Sequence, residues 1–486
     1  MNNINETLKK MEILKITINN LLYWDKVTYM PLKGNEFRGE VISCLSKELQ
    51  SLYNSEEIKS FIQSKSNSNL EDTIKNKLNM KLIFSKIPSK MMIDYNKLIG
   101  QSEMLYDLAK EKNDFSIIKT NLKKIIDFQI KFSKIWNLGK HPYDSILKYY
   151  EPNISVEILD DFFEKLKVSI INILNSPDRK KEYFNIKEPL FKSSTESQKD
   201  FTKFILESID FDFSRGRFDE SHHPMTLANS KDDVRITTYF DTNDIRPCIT
   251  TAFHEGGHGI YEQDIDSKLI GTLLAEASSM SLHESQAKFY ENMIGKNINF
   301  WQNISNDFLD SHKELSSINI ISLYNSLNSV NPSLIRMDAD ELTYNLHIII
   351  RYELERDLLS KKITIDNLEE KWNEKYHNYL GIVPTNVSNG ILQDVHWFSG
   401  YWGYFPTYVI GNIYSAEIYE YLIKNTNILE NLSINSLKKL HLWFRENIHK
   451  YGGTKSPEEI LFDITNTKIN PEKYIQYLYN KYITKK

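Results

Sequence analysis

Cysteine, glycine and proline are scarce in this chain of 486 residues. Two cysteines, Cys44 and Cys248, are too few for a disulfide framework and are typical of a reducing compartment. Seventeen glycines and 13 prolines supply few turn formers for this length, which favours long helices over hairpins. These scarcities exclude the collagen-like, proline-rich and cysteine-rich classes of protein.

An excess of positive charge and long apolar runs are absent as well. Sixty Lys and Arg stand against 65 Asp and Glu, a net charge of −5, so a basic surface for nucleic acid is not indicated. Charged and amide residues interrupt every apolar run, including those near the N-terminus, so we predict neither a membrane-spanning helix nor a secretion signal. We therefore expect a cytoplasmic protein with no nucleic-acid or membrane partner.

Helical periodicity extends over most of the chain. Apolar residues recur at helical spacing through residues 1–130 and again after Pro247. Residues 235–240 are the best strand candidate, because they are β-branched and aromatic and lie between Asp and Asn residues. No repeat or long linker divides the chain, so we interpret 1–486 as one mainly α catalytic domain. We expect two helical lobes around a cleft, with a boundary that the sequence does not resolve.

The segment His254-Glu255-Gly256-Gly257-His258 is the strongest functional motif. Histidines at i and i+4 lie on one face of a helix, where both imidazoles can bind one Zn²⁺. Glu255 projects to the adjacent side, where its carboxylate can accept a proton from a water molecule on the metal. This pattern is typical of metallopeptidases, in which that water attacks an amide carbonyl.

A third ligand is needed for a site that leaves one position open for water. The elongated form of the motif would place a histidine at position 264, but Asp264 stands there and excludes that subclass. Glu276 and Glu284 are both candidates in the following helical segment, and His283 is a weaker one. Spacing alone does not choose between them.

Several motifs, in order, resemble those of the Taq-type metallocarboxypeptidases, the thermostable carboxypeptidase 1 family with an H-E-x-x-H motif of the gluzincin type. Beyond the metal motif, the matching segments are His283-Glu284-Ser285-Gln286, Asp233–Thr237 for D-x-R-x-T, Ile335–Asp340 for I-R-x-x-A-D, and Gly390–Trp397 for G-x-x-Q-D-x-H-W. The resemblance extends over about residues 20–415. Departures include His223-Pro224-Met225 in place of H-P-F.

The resemblance implies a neurolysin-like, two-lobed helical fold with a deep substrate groove and a small β-sheet near the metal site. It implies a zinc-dependent carboxypeptidase, with Co²⁺ or Mn²⁺ as alternative metals, that acts on peptides with a free C-terminus. Single residues would be released with broad specificity that excludes proline, by a protein that forms a homodimer. It also implies His254, His258 and Glu284 as metal ligands and Glu255 as the general base.

Arginine is a suitable residue for binding the terminal carboxylate of a substrate, because its planar guanidinium can form two parallel hydrogen bonds. Arg336 is our candidate for this role, and Arg235 competes for it. The alternative for Arg336 is a buried ion pair with Asp338 or Asp340 that joins helices.

His396 and Tyr408 lie in a segment rich in Tyr and Gly. Their separation of twelve residues resembles that of a His and a Tyr near the scissile carbonyl in related gluzincins, which implies that they are candidate oxyanion donors. Tyr404, in the same segment, is a candidate for substrate binding; the alternative for these tyrosines is an aromatic core. Asp394 could orient His396.

Two further interpretations concern the strand and a run of acidic residues. Residues 235–240 could form an edge strand that pairs with an extended peptide, with Asp233 and Thr237 as supporting residues; the alternative is an internal strand. Glu341, Glu353 and Glu355 are most simply a solvated helix face.

The sequence leaves rival functions open. One is a neurolysin-like oligoendopeptidase or dipeptidase, and another is a helical scaffold that binds peptides without catalysis.

Overall fold

The computed structural model describes residues 2–184, 191–221, 224–311 and 318–484. His223, which enters the resemblance through His223-Pro224-Met225, lies outside the described residues. The described chain is mainly helical with one three-stranded sheet, which confirms the predicted fold class. No helix in these ranges combines the length and the apolar character needed to cross a membrane.

The chain divides into two compact units. Unit 1 takes its described residues from Met1–Ser85, Glu188–Leu327 and Tyr414–Ile469, and unit 2 from Lys86–Lys187, Asn328–Ile413 and Asn470–Lys486. Each unit is assembled from segments far apart in sequence, so no single linker marks the boundary.

Unit 1 contains helices from all three of its segments. They are Asn2–Ile16 (α1), Leu22–Thr28 (α2), Asn35–Tyr53 (α3), Glu56–Gln63 (α4), Asn69–Phe84 (α5), Thr195–Ser208 (α10), Arg246–Asp264 (α11), Met280–Lys288 (α12), Ile298–Ser311 (α13), Ile320–Leu327 (α14), Ile434–Asn447 (α18) and Pro457–Thr465 (α19). A π-helical segment, Phe289–Gly295, follows α12 directly, and a 3-10 helix occupies His449–Thr454.

Unit 2 contains helices and, among its described residues, none of the three strands of the sheet. Its helices are Ser89–Lys112 (α6), Ser116–Trp136 (α7), Pro142–Leu147 (α8), Val156–Asn175 (α9), Glu341–Leu359 (α15), Leu368–Leu380 (α16) and Glu472–Tyr482 (α20). The helix Pro406–Asn425 (α17) begins in unit 2, and its residues from Tyr414 onward are assigned to unit 1.

Serine side chains begin many of these helices. Each accepts a hydrogen bond from a backbone N–H in the first turn, which satisfies a group that has no partner within the helix. The serines are Ser55, Ser68, Ser155, Ser194, Ser279, Ser433 and Ser456. These local signals set helix starts before any tertiary contact is considered.

The sheet consists of Gly216–Glu220 (β1), Met225–Ser230 (β2) and Asp233–Thr238 (β3). Its order is β1-β3-β2, with β1 parallel and β2 antiparallel to β3. The strand predicted at residues 235–240 is confirmed with shifted bounds, Asp233–Thr238, and of the two alternatives the internal strand is right and the edge strand is wrong. Both sides of β3 already pair with neighbouring strands, so a peptide cannot add to it.

Helix α11 packs on three neighbours through its glycines. A Cβ at Gly257 would lie 2.7 Å from the backbone oxygen of Gln286 in α12, and a Cβ at Gly256 would lie 2.6 Å from Ile209, just after α10. At Gly259 a Cβ would approach Phe211 and Ile236 of β3 within 3.0 Å. The absence of side chains on three faces lets the motif helix lie deep in unit 1.

Helix α15 is buried on nearly all sides, so the prediction of a solvated acidic face is wrong. Glu355 is fully buried and accepts hydrogen bonds from Tyr143, Trp397 and the backbone N–H of Gly403. The carboxylates of Glu341 and Glu353 are likewise buried and bonded to lysines and tyrosines. All these donors are remote in sequence, which is why composition alone indicated solvent.

Candidate metal centre

The metal motif lies in α11, and the third candidate ligand comes from α12. The Nε2 atoms of His254 and His258 lie 3.9 and 3.5 Å from Oε2 of Glu284. One ligand atom from each residue lies within 4.8 Å of the other two. The predicted set of His254, His258 and Glu284 is thus brought together on two adjacent helices of unit 1.

Two imidazoles and a carboxylate fit a zinc-type cation. A tetrahedral ion with bonds near 2.0–2.1 Å separates its ligand atoms by about 3.4 Å, close to these distances. Oε1 of Glu284 is buried and has no hydrogen-bond partner among the described residues. Nζ of Lys288 lies 3.9 Å from this oxygen, beyond hydrogen-bond distance, and a metal ion would supply the closer cation that a buried carboxylate needs.

The charges of the three residues are strongly coupled. Burial opposes ionisation of Glu284, but positive charge on His254 and a hydrogen bond from His258 lower the pKa of Glu284 to about 2. Burial, with His283 nearby, lowers the pKa of His258 to about 3. Glu284 is therefore a carboxylate and His258 a neutral imidazole, which are the forms that bind metal.

The candidate general base, Glu255, is buried beside this site. The hydroxyl of Thr226, in β2, lies 2.6 Å from its Oε2 and 3.1 Å from its backbone oxygen. Burial raises the pKa of Glu255, while His254 and the Thr226 hydroxyl oppose the rise. This contact puts the sheet next to the metal site, as predicted, but no signal in the sequence singled out Thr226.

Sequence reasoning also missed a carboxylate behind the first histidine. Nδ1 of His254 lies 2.8 Å from Oε2 of Glu291, in the π-helical segment after α12. Lys288 and Lys296 contact the same carboxylate. Glu291 lies seven residues after Glu284, about two helical turns, and this spacing was the signal that could have found it.

The other candidates for the third ligand point elsewhere. Glu276 forms ion pairs with Lys15 and Lys77. The ring of His283 stacks on that of His258 at 4.2 Å between centroids, and its Nε2 lies 3.0 Å from Glu262 outside hydrogen-bond geometry. The structure thus separates Glu284 from its rivals, which spacing could not do.

A second group of potential ligands, Asp264, His441 and His449, lies elsewhere in unit 1. Oδ2 of Asp264 accepts hydrogen bonds from His441 at 2.7 Å and His449 at 2.9 Å. The far ring nitrogens contact Asp210 and Gln286 at 2.8 and 3.1 Å. Every ring nitrogen has a partner at hydrogen-bond distance, so we interpret this group as a network that braces α11, α12 and α18.

Arg336, in unit 2, is buried in a cluster that it forms with Arg351 and Asp394. Its guanidinium binds Asp394 at 3.0 Å, and Arg351 binds the other oxygen of the same carboxylate. The partner is thus neither Asp338 nor Asp340, which the sequence had suggested. Tyr344 accepts a further hydrogen bond from Arg336 at 3.2 Å, and the ring of Tyr408 lies 5.6 Å away.

His396 and the two candidate tyrosines lie in the same unit and form an aromatic group. The ring of His396 lies 6.1 Å from that of Tyr404, which lies 5.3 Å from that of Tyr408. Burial lowers the pKa of His396 to about 4, so its ring is neutral at pH 7. Nδ1 of His396 is 4.0 Å from Asp394 and has no hydrogen-bond partner in the described chain, so Asp394 does not orient it by a direct bond.

Arg235, Asp233 and Thr237 lie in β3. Arg235 donates two hydrogen bonds of 2.8 Å to Asp233, and its guanidinium lies over the ring of Trp24. The hydroxyl of Thr237 is buried and accepts from the backbone of Met225. These side chains support the sheet, and their role in substrate binding stays a prediction.

A family profile described as carboxypeptidase Taq (M32) metallopeptidase matches residues 3–482. Carboxypeptidase 1 of Bacillus subtilis (strain 168) is 37% identical over 480 residues, 95% of this chain and 94% of that protein. Thermostable carboxypeptidase 1 of Pyrococcus furiosus is 32% identical over 478 residues, 96% and 95% of the two chains. A solved structure of Pyrococcus furiosus carboxypeptidase in an apo-Mg form has a TM-score of 0.92 and 30% identity, over 99% of this chain and 98% of that one.

Proposed function

Since the chain belongs to the carboxypeptidase Taq (M32) family of metallopeptidases, and is accordingly a metallocarboxypeptidase, we propose that it uses Zn²⁺ to release single residues from peptide C-termini. The family is the one that the sequence motifs predicted. The convergence of His254, His258 and Glu284, with Glu255 beside them, is the observation that carries the proposal. We also propose that the enzyme releases a broad range of C-terminal residues but not proline.

In this proposal His254, His258 and Glu284 hold the metal. When bound, the metal polarises the scissile carbonyl and activates a water molecule for attack. Glu255 takes the proton from that water and delivers it to the leaving amine. The Thr226 hydroxyl, by its contact with Oε2, holds the Glu255 carboxylate in one orientation.

Arg336 is the proposed partner of the substrate's terminal carboxylate. Two guanidinium groups share one carboxylate in its cluster, so one positive charge is left without an anion from these three side chains. A substrate carboxylate would supply that anion. A cation fixed in this way would set how far the cleaved bond lies from the C-terminus of the peptide. Arg235, supported by Asp233 and Thr237, remains the competing proposal.

His396 and Tyr408 are the proposed donors to the oxyanion, with Tyr404 as a neighbouring substrate contact. A neutral histidine and a phenol can each donate one hydrogen bond to a developing negative charge. We further propose that the enzyme acts in the cytoplasm on peptides with a free C-terminus and forms a homodimer.

Digestion of paired peptides, followed by mass spectrometry, tests the function. One peptide has a free C-terminus and its twin is C-terminally amidated, and both are incubated with Zn²⁺, with Co²⁺ and with a chelator. We expect a ladder of single-residue losses from the free acid alone, abolished by the chelator. Internal cuts in both peptides would move the function to an endopeptidase and remove Arg336 from its role. No cleavage by the metal-loaded protein would favour a peptide-binding scaffold.

The variant Glu255→Gln is the matched control for catalysis. The amide keeps the shape of the side chain but cannot accept the proton, so kcat should fall about 10²- to 10⁴-fold. Metal content, measured by plasma mass spectrometry, should stay at the wild-type value. A wild-type kcat would exclude Glu255 as the base.

A further inference from the structure

The two candidate imidazole ligands are held by different contacts. Nδ1 of His254 has a carboxylate partner, Oε2 of Glu291, at 2.8 Å. Nδ1 of His258 is buried and has no hydrogen-bond partner among the described residues. The ring of His258 is held instead by stacking on His283, with an interplanar angle of 16°. Of the three proposed ligands, Glu291 therefore bonds directly to His254, and it reaches Glu284 only through Lys288, whose Nζ lies 3.9 Å from Oε1 of Glu284.

We propose that Glu291 is a positioning residue for the metal ligand His254. The proposal rests on the proposed function, because it requires that His254 binds the metal. A neutral imidazole carries one proton, and a carboxylate that accepts a hydrogen bond at Nδ1 keeps the proton there. The lone pair then stays on Nε2, which faces the Glu284 side of the site at 3.9 Å. Glu291 thus sets both the tautomer and the rotation of the ring.

Two lysines hold the Glu291 carboxylate in position. Nζ of Lys288 lies 2.8 Å from Oε2, and Nζ of Lys296 lies 3.4 Å from Oε1. Lys296 is buried and the other two side chains are largely covered, with side-chain exposures of 8–13% for the three. Because Glu255 and Glu284 are buried nearby, a third carboxylate needs this compensating charge to remain beside His254.

One helical stretch presents both carboxylates to His254. Glu284 lies in α12 and Glu291 in the π-helical segment that continues it. Single π-turns inside helices occur frequently at functional sites. The proposed ligand and the positioning residue therefore belong to one continuous stretch. They face opposite nitrogens of the His254 ring.

Zinc affinity of the full chain tests the proposal without an activity assay. The variants are Glu291→Gln, which keeps the shape and loses the charge, and Glu291→Ala. Zn²⁺ is titrated in competition with a chromophoric chelator, and we expect Kd to rise about 10- to 100-fold, more for alanine. The matched control is Glu12→Gln, which removes a buried carboxylate of α1 that accepts hydrogen bonds from the backbone of Gly271 and Leu273 rather than from a proposed ligand. Its Kd should be unchanged.

Two further measurements distinguish a failure of the role proposed for Glu291 from a failure of the proposed function. If His254→Ala loses zinc while both Glu291 variants bind it with wild-type Kd, the role of Glu291 is overturned and the metal site stands. If His254→Ala binds zinc as tightly as wild type, the proposed function itself fails. Nitrogen-15 NMR of metal-free wild type, at a pH at which the His254 ring is neutral, serves if the variants do not fold. A proton on Nδ1 of His254 supports the proposal, and a proton on Nε2 overturns it.

Discussion

Arg336 shows how one buried side chain can be placed by partners that sequence proximity does not reveal. The motif around it offered Asp338 and Asp340, yet its partner is Asp394, 58 residues away in sequence. Asp394 also binds Arg351. Burial opposes ionisation of Asp394, but the two guanidinium charges outweigh it and hold the pKa of Asp394 far below its usual range. The aspartate is thus fully ionised and fixed between two cations.

Replacing Arg336 by glutamine should raise KM for free-acid peptides. Loss of hydrogen bonds to a charged group costs roughly 1.5–3 kcal/mol, which corresponds to about 10- to 100-fold in KM. Metal content should not change, because Arg336 contacts none of the proposed ligands. Steady-state kinetics and metal analysis check both expectations.

The control for this substitution is Arg356→Gln, which removes an arginine of the same unit that pairs with Asp160 and Asp357. It should leave KM unchanged. An unchanged KM for Arg336→Gln would instead direct the search for the carboxylate partner to Arg235.

At the scale of elements, the glycines of α11 decide how close the ligand-bearing helices come. Gly257 faces the backbone of α12 around Gln286 and Ala287. Backbone atoms cannot move away by a change of rotamer as side chains can. The contact of Gly257 with α12 therefore sets the distance between the two helices. His254 and His258 are placed by helical periodicity alone, but Glu284 reaches them only because this contact is so close.

Alanine at position 257 should therefore push α12 away. Its Cβ would lie 2.7–2.8 Å from backbone atoms of that helix. Overpacking of this kind typically costs about 1–3 kcal/mol. The displaced Glu284 should also weaken zinc binding. Thermal melting of the metal-free protein and zinc competition would record the two effects separately.

Gly100→Ala is the matched substitution in α6, where a Cβ would meet nothing within 4 Å. It should stabilise the protein by roughly 0.5–1 kcal/mol, since alanine is the better helix former. If Gly257→Ala melted like Gly100→Ala and bound zinc like wild type, the close contact between α11 and α12 would not control the site.

At the scale of the whole molecule, stability depends on pH through carboxyl groups buried in both units. Charged and hydrogen-bonded neighbours outweigh burial at Glu284 and lower its pKa to about 2. At Glu355 burial outweighs the hydrogen bonds from Tyr143, Gly403 and Trp397, and raises the pKa from 4.5 to about 7. The two groups therefore act in opposite directions and in separate ranges of pH.

Glu355 should make the protein less stable as pH rises from about 4.5 to about 7. In this range the folded chain keeps a proton at Glu355 that the unfolded chain has lost, so the free energy of unfolding falls with pH. The full effect is at most about 3 kcal/mol and levels off above the folded pKa. Glu355→Gln should remove this contribution to the slope of melting temperature against pH.

Glu370→Gln, an exposed residue of α16, is the control and should leave the slope unchanged. An identical slope in wild type and Glu355→Gln would show that Glu355 is already ionised at the lower end of the range. The variants are compared by the slope of melting temperature against pH and not by the melting temperature itself. Glutamine also loses an acceptor for Trp397, which should lower the melting temperature at every pH.

Much of this protein was determined by sequence alone, through local rules. Helical periodicity predicts a mainly α chain, and the spacing of His254 and His258 places two candidate ligands on one face. The ordered motifs identify the family, and the strand around residues 235–240 is visible in its β-branched composition. Each of these inferences depends on residues that are close together in the chain.

Only the tertiary structure decided which distant groups meet. It brought Glu284, and not Glu276, close to His254 and His258, and it placed Glu291 and Thr226 beside them. It also ordered β3 between two strands and buried the acidic residues of α15. A carboxylate in the sequence has the same chemistry whether it faces water, a lysine or a metal ligand. Its role is set by which partners the packing brings within about 3 Å, and the periodicity of the sequence does not indicate those partners.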